Sequence, residues 1–95
     1  MQATSPSMTS ALPACSFLPV LRRNDNAAQP SSYVQDLQRR LNHYNFSLKV
    51  DGYFGEKTEA AVIEYQERIN AHQPSFPVDG IVGPLTWNAL AACVL

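Results

Sequence analysis

The sequence repeats itself internally, and this repeat limits the folds that the chain can adopt. When the chain is shifted by 28 residues, positions 34–62 align with positions 62–90, and 11 of the 29 aligned pairs are identical. Each copy begins with helical hydrophobic periodicity, continues through a loop and ends at the start of the next helical segment. Because the two copies overlap around Val62, they share their middle helix. The repeat therefore predicts an all-α domain with three helices.

The boundaries of these helices follow from apolar spacing and capping signals. The first helix is predicted from about Tyr33 to His43, with Ser32 as its N-cap and Gln35 completing a capping box. The second is predicted from about Glu56 to Ala71, and the third begins at Pro84. The residues expected in the core are Val34, Leu37, Leu41, Val62, Tyr65, Ile69 and Leu90. The third helix is expected to carry an apolar stripe of Trp87, Leu90, Ala91 and Val94.

Composition and charge exclude several classes of protein. The 95 residues are 45% hydrophobic and 16% charged, as in one small globular domain. Seven Lys and Arg against 8 Asp and Glu give a net charge of −1, which argues against nucleic-acid binding, since that requires a basic surface. No apolar stretch approaches the roughly 18 residues needed to cross a bilayer. We therefore expect neither a nucleic-acid partner nor a membrane span.

The N-terminal end differs in composition from the rest of the chain. Residues 1–17 are dominated by small and polar residues and proline, so we expect a flexible arm there and a folded domain at 18–95. The arm has no Lys or Arg before its weak apolar patch and is not a convincing signal peptide. Cys15 and Cys93 form a disulfide if the protein is exported. The sequence favours the alternative, in which Cys15 is a free thiol in the arm and Cys93 is a small apolar residue in the last helix.

Each loop carries the pattern Val-Asp-Gly-x-x-Gly-x-x-Thr, which predicts a tight turn followed by a helix start. The Gly after each Asp is expected to have a positive φ, and each Asp to accept N–H groups across its loop. A Gln recurs at one position of the preceding helix. A buried amide needs partners, so each Gln is expected to bond loop backbone rather than a ligand. This structural set is Gln38, Asp51, Gly52, Gly55, Gln66, Asp79, Gly80 and Gly83.

No combination of side chains in the sequence indicates catalysis. An active site needs a nucleophile with its base, two poised carboxylates or a metal ion. The two histidines, His43 and His72, are expected at helix ends, where they complement the helix dipole. Ligand sets for structural zinc or for a calcium loop are incomplete. We therefore expect no enzymatic activity, no metal and no cofactor.

Five segments carry a family resemblance. They are L-R-R at 21–23, V-Q-D-L-Q-R-R-L at 34–41, V-D-G-Y-F-G-E-K-T-E-A-A-V at 50–62, Y-Q at 65–66 and V-D-G-I-V-G-P-L-T-W-N-A-L at 78–90. Together they resemble the peptidoglycan-binding domain of bacterial cell-wall hydrolases, over about residues 18–90. The resemblance implies a compact three-helix bundle with a pseudo-twofold relation between its halves. It also implies a non-catalytic, periplasmic or extracellular module that binds murein beside a separate hydrolase, and we expect a monomer.

The chemistry of the first loop makes it the expected ligand site. Tyr53 and Phe54 stand where the second loop has Ile81 and Val82. Phe54 is interpreted as a core residue, and Tyr53 as an exposed ring that stacks on a sugar face. The candidate ligand-binding residues are Tyr53, Arg40, Tyr44 and Asn42, with Arg40 placed to reach a peptide carboxylate. Two alternatives stay open: these four side chains are ordinary surface, or the scaffold serves as a protein-interaction or regulatory module.

Overall fold

The computed structural model describes residues 12–95, which form three α-helices and one short 3-10 helix. The 3-10 helix spans Cys15–Phe17, α1 spans Ser32–Asn42, α2 spans Glu56–Asn70 and α3 spans Pro84–Ala89. The predicted all-α class with three helices is confirmed, and no extended strand occurs between residues 12 and 95. The boundaries of α1 and α2 agree with those predicted from the sequence to within one residue. The pseudo-twofold relation between the halves stays a prediction.

The start of α1 lies one residue earlier than the capping box predicts. Ser31, not Ser32, is the N-cap, and its Oγ accepts hydrogen bonds from the backbone N–H groups of Tyr33 and Val34 at 3.2 and 3.4 Å. The predicted capping box of Ser32 with Gln35 is therefore wrong. Ser31 is fixed in extended backbone because its N–H donates to the Gly52 carbonyl at 2.9 Å, so the helix begins after it.

The core lies between the three helices and is closed from one side by the N-terminal segment. Six of the seven predicted core residues are buried, and the interpretation of Phe54 as a core residue is confirmed. Ile69 is only partly buried and packs at the edge of the core, so its predicted full burial is wrong. The indole of Trp87 is buried, and its Nε1–H donates to the Pro19 carbonyl at 2.8 Å. This bond ties α3 to the N-terminal segment.

The N-terminal segment is fixed to the C-terminal one by a disulfide. Cys15 and Cys93 are both buried and bonded, with their Cα atoms 4.9 Å apart. On either side of the disulfide, Cys15 N–H donates to the Val94 carbonyl and Val94 N–H to the Pro13 carbonyl, both at 2.9 Å. The interpretation of Cys15 as a free thiol in a flexible arm is therefore wrong. Residues 13–17 belong to the packed domain, while the first 11 residues of the predicted arm lie outside the described part of the chain.

The third helix ends before its predicted apolar stripe is complete. After Ala89 the chain turns at Ala91, which has a φ of +61°. Its N–H donates to the Asn88 carbonyl, and the Ala92 N–H donates to the Trp87 carbonyl, which is the bonding pattern of a Schellman motif. Ala91 and Val94 are exposed, so their assignment to a buried helical stripe is wrong. A glycine usually occupies the left-handed position, and its absence hides this helix end in the sequence.

The two Asp-Gly turns have the predicted backbone. Gly52 has a φ of +80° and Gly80 a φ of +75°, so the predicted positive φ is confirmed at both. Their surroundings differ. A Cβ added at Gly52 lies 2.8 Å from the Cβ of Pro30 and 3.0 Å from the Ser31 carbonyl, whereas one at Gly80 meets side-chain atoms of Ile63 and Glu59 at 3.3 and 3.4 Å. Gly52 is therefore required for close packing as well as for its φ.

Replacing both Cys15 and Cys93 with Ala should lower the free energy of unfolding by about 2–5 kcal/mol, because the disulfide closes a long loop. Thermal unfolding followed by circular dichroism measures this. Reductant should lower the midpoint of the wild type and leave that of the double variant unchanged. Equal midpoints for the two oxidised proteins would contradict the prediction.

Ala91→Gly should raise the free energy of unfolding by about 1 kcal/mol, since Gly relieves the cost of a left-handed backbone at a residue with a Cβ. Denaturant titration checks this. Ala60→Gly is the matched control: Ala60 is exposed in α2, and its replacement should destabilise by roughly 1 kcal/mol. Destabilisation by both variants would refute the assigned turn.

Gly80→Ala should cost about 1–2 kcal/mol of unfolding free energy through its positive φ alone. Gly52→Ala should cost at least about 1 kcal/mol more, because its Cβ also overlaps Pro30 and Ser31. The same denaturant titration compares them. Equal losses would show that the close approach at Gly52 is relaxed without cost.

Candidate functional site

The first loop, residues 43–55, is held by one buried amide from α1. The Gln38 Nε2 donates to Asp51 Oδ1, the Tyr53 carbonyl and Thr58 Oγ1, each at 3.1 Å. Its Oε1 accepts from the backbone N–H groups of Asp51 and Gly52, both at 3.0 Å. Gln38 is fully buried, so these bonds satisfy an amide that has no water to bond instead. Gln38 therefore fixes the loop from within and is not available to a ligand.

The second loop, residues 71–83, is held in the same way. The Gln66 Nε2 donates to Asp79 Oδ1, the Ile81 carbonyl and Thr86 Oγ1 at 3.2, 2.9 and 3.1 Å. Its Oε1 accepts from Asp79 N–H and Gly80 N–H at 3.1 and 2.9 Å. Each distance lies within 0.2 Å of its counterpart in the first loop. The Gln, Asp, Gly and Thr of each motif therefore form a structural framework, and the remaining loop positions are free to differ.

The Asp of this framework is itself bonded across the turn. In the first loop, the Tyr53 N–H donates to Asp51 Oδ1 at 3.0 Å. This backbone bond, then the bond from Gln38 and, more weakly, the charge of Lys49 hold the pKa of Asp51 below its usual range. Asp51 is thus an ionised acceptor that closes the loop.

A cleft of about 520 Å³ lies beside the first loop and the first turn of α2. Its floor includes Gln38 and Thr58, and its rim is made by Ser47, Lys49, Tyr53, Glu56 and Lys57. We call this the first-loop cleft. The Tyr53 side chain is exposed, while Thr58 on the floor is buried. The cleft therefore combines an aromatic ring, charges of both signs and a hydroxyl around a rigid floor.

Of the four predicted ligand-binding residues, Tyr53 alone lines this cleft. Arg40 contacts another part of the protein: its Nε donates to Asp36 Oδ2 at 2.8 Å, and its Nη1 donates to the Leu90 carbonyl at 3.1 Å. Arg40 therefore links α1 to the end of α3.

Asn42 and Tyr44 also have contacts within the domain. The Asn42 side chain donates to the Leu48 carbonyl at 2.9 Å and accepts from the Leu48 N–H at 2.8 Å. The exposed ring of Tyr44 packs at 4.9 Å from that of Tyr65, and burial together with Tyr44 raises the pKa of Tyr65. The four candidates are thus not brought together in one site.

Sequence reasoning did not single out Ser47, Lys49, Glu56 and Lys57 on the cleft rim. A signal for three of them was present in the repeat. Lys49, Glu56 and Lys57 align with two prolines and a leucine of the second copy, so their charge is specific to the first loop.

Two further findings bear on the kind of site present. Across residues 12–95, no group of three or more His, Cys, Asp or Glu side chains is arranged to hold a metal ion. In the same part of the chain, no helix has the length and apolar character that crossing a membrane requires.

Comparison with known proteins finds one matching family model and several similar solved structures. The family model of the peptidoglycan binding domain matches residues 30–90. Similar solved structures include the SleB N-terminal domain, 34% identical with a TM-score of 0.64, where the match covers 77% of this chain and 89% of that one. No curated protein matches the chain.

Two longer proteins show the same likeness. A peptidoglycan-binding protein from Clostridioides difficile, solved in complex with glutamine hydroxamate, is 29% identical with a TM-score of 0.63; the match covers 76% of this chain and 40% of that one. The Burkholderia AP3 phage endolysin is 32% identical with a TM-score of 0.63, and the match covers 79% of this chain and 25% of that one. The chain therefore spans less than half the length of these two proteins. With a family match over well over half of its residues, the chain belongs to the peptidoglycan-binding domain family.

Proposed function

We propose that the protein is a binding module that holds bacterial peptidoglycan in the first-loop cleft. Membership of the peptidoglycan-binding domain family supports the ligand, and the names of the C. difficile protein and the endolysin associate similar chains with the cell wall. The cleft has the size of pockets that take small ligands. It is therefore the surface to which we assign the binding.

The observation that carries this assignment is the exposed ring of Tyr53. The Tyr53 side chain is not needed by the loop framework, because only its backbone N–H and carbonyl bond to Asp51 and Gln38. The second loop makes the same bonds through the backbone of Ile81. An exposed aromatic ring presents an apolar face with a polar hydroxyl, which suits the amphipathic face of a sugar.

The module acts by attachment rather than by catalysis. Similar sequence lies within the longer endolysin and C. difficile chains, so we infer that this module positions a cell-wall hydrolase on its substrate. We further propose that it works as a monomer in the periplasm or outside the cell. The buried disulfide supports this location, since such bonds persist in oxidising compartments.

Co-sedimentation with purified murein sacculi tests the proposal. The wild type should pellet with the sacculi, and Tyr53→Ala should weaken binding roughly fivefold through loss of the stacking ring. Tyr33→Ala is the matched control, because Tyr33 is 47% exposed against 41% for Tyr53 and lies away from the cleft. Tyr33→Ala should bind as the wild type does.

Each contrary outcome has a distinct meaning. Equal losses for the two tyrosine variants would move the binding site away from the first-loop cleft. A wild type that stays in the supernatant would replace the proposal with a protein-interaction or regulatory role for the same scaffold.

A further inference from the structure

The two loops share one hydrogen-bonded framework, but the side chains around it are charged in the first copy of the repeat and apolar in the second. Lys49 of the first loop aligns with Pro77 of the second, and Glu56 and Lys57 at the start of α2 align with Pro84 and Leu85 at the start of α3. The hydrogen bonds made by Gln38 and Gln66 are the same despite these differences. The three charges are therefore not needed to build this kind of loop.

The position of Lys57 is unfavourable for helix stability. It lies in the first turn of α2, where the helix dipole favours anions and disfavours cations. The N-cap of α2 is Gly55, which provides no side-chain acceptor for the free N–H groups of that turn. Glu56 and Glu59 lie in the same turn and already complement the dipole, so Lys57 is not needed there for helix stability and presents a single cation beside Glu56.

The charges on the rim are available for contacts with a ligand. Lys49, Glu56 and Lys57 are exposed, and none of them belongs to the four ion pairs formed within residues 12–95. The charge of Lys49 contributes weakly to the lowered pKa of Asp51, so Lys49 has an acidic neighbour in the loop. The ammonium group of Lys57 is therefore the main group on the rim for binding an anion. The carboxylate of the neighbouring Glu56 can bind a cation.

These charges distinguish between the two parts of peptidoglycan. The glycan strand offers hydroxyl and acetamido groups, which are neutral. The stem peptide carries free carboxylates, and those with a diamino acid also carry an ammonium group. A lysine ammonium binds a carboxylate through charge-assisted hydrogen bonds, and a glutamate binds an ammonium in the same way.

We propose that the first-loop cleft recognises the stem peptide of peptidoglycan, with Lys57 and Lys49 binding a free peptide carboxylate and Glu56 its ammonium group. The inference rests on the proposed function, because it assumes that peptidoglycan occupies this cleft. In this arrangement Tyr53 packs against the apolar part of the peptide or the adjoining sugar. The selectivity for peptide over glycan comes from the three charged side chains.

Isothermal titration calorimetry with three soluble probes tests the inference. The probes are a stem tripeptide that contains a diamino acid, the same tripeptide with its carboxylates amidated, and glycan strands that are stripped of peptide and have their freed lactyl carboxylates amidated. The free tripeptide should bind, its amidated form should bind roughly tenfold more weakly or not at all, and stripped strands should give no heat. Added salt should weaken tripeptide binding, since exposed charges are screened.

Lys57→Leu is the decisive variant, because Leu85 occupies the matching position in α3 and shows that this helix start tolerates leucine. Its affinity for the tripeptide should fall roughly tenfold, whereas Lys57→Arg should retain binding. Arg39→Leu removes an exposed charge from the end of α1, outside the cleft, and should leave the affinity unchanged. Unfolding midpoints of all variants establish that they are folded.

The failures of the two proposals are distinguishable. If the wild type pellets with sacculi but binds stripped glycan strands, or binds the amidated tripeptide as tightly as the free one, the peptide inference is overturned and the proposed function stands. Equal affinities of Lys57→Leu and Arg39→Leu for the tripeptide would also overturn it. If the wild type fails to pellet with sacculi, both proposals fall.

Discussion

The buried amide of Gln38 is the interaction on which the first half of the structure depends. One side chain on α1 satisfies two backbone donors and three acceptors, and so joins α1, the first loop and the start of α2. Loss of such a side chain leaves several buried polar groups without partners, each of which costs free energy. Gln66 makes the same connection between α2, the second loop and α3. A small domain is thus ordered by two polar side chains as much as by its apolar core.

This arrangement separates the residues that build the loops from those that form the rim of the first-loop cleft. Each framework consists of a Gln and a Thr on the flanking helices and an Asp and a Gly in the loop. The side chains between these positions make none of the hydrogen bonds of the framework. The first loop and the start of α2 can therefore carry Tyr53 and three charges, while the second loop and the start of α3 carry Ile81, two prolines and Leu85. The framework fixes the backbone of the loop that carries these side chains, which reduces the backbone entropy lost when a ligand binds.

Much of the fold could be predicted from the sequence because, in α1, α2 and the two loops, the local sequence signals indicate the same structure that the packing produces. The apolar spacing of α1 and α2, the Asp-Gly turns and the partners of the buried glutamines all follow from short-range patterns. The end of α3 could not be predicted from such patterns. It depends on the left-handed conformation of Ala91 and on a disulfide between two residues that are 78 positions apart. Of the side chains on the rim of the first-loop cleft, only Tyr53 was a candidate from the sequence. The partner of Arg40 is a carbonyl 50 residues away, and no periodicity reveals such a contact.

The disulfide also determines how the domain carries mechanical load. Because Cys15 and Cys93 are covalently joined, tension between the segments before residue 15 and after residue 93 passes through the sulfur atoms. The chain between them, with all three helices and both loops, lies outside that path. Hydrogen bonds and apolar contacts of the domain are therefore shielded from a pull that would otherwise unzip them. The first-loop cleft therefore keeps its shape when the two ends of the domain are pulled apart.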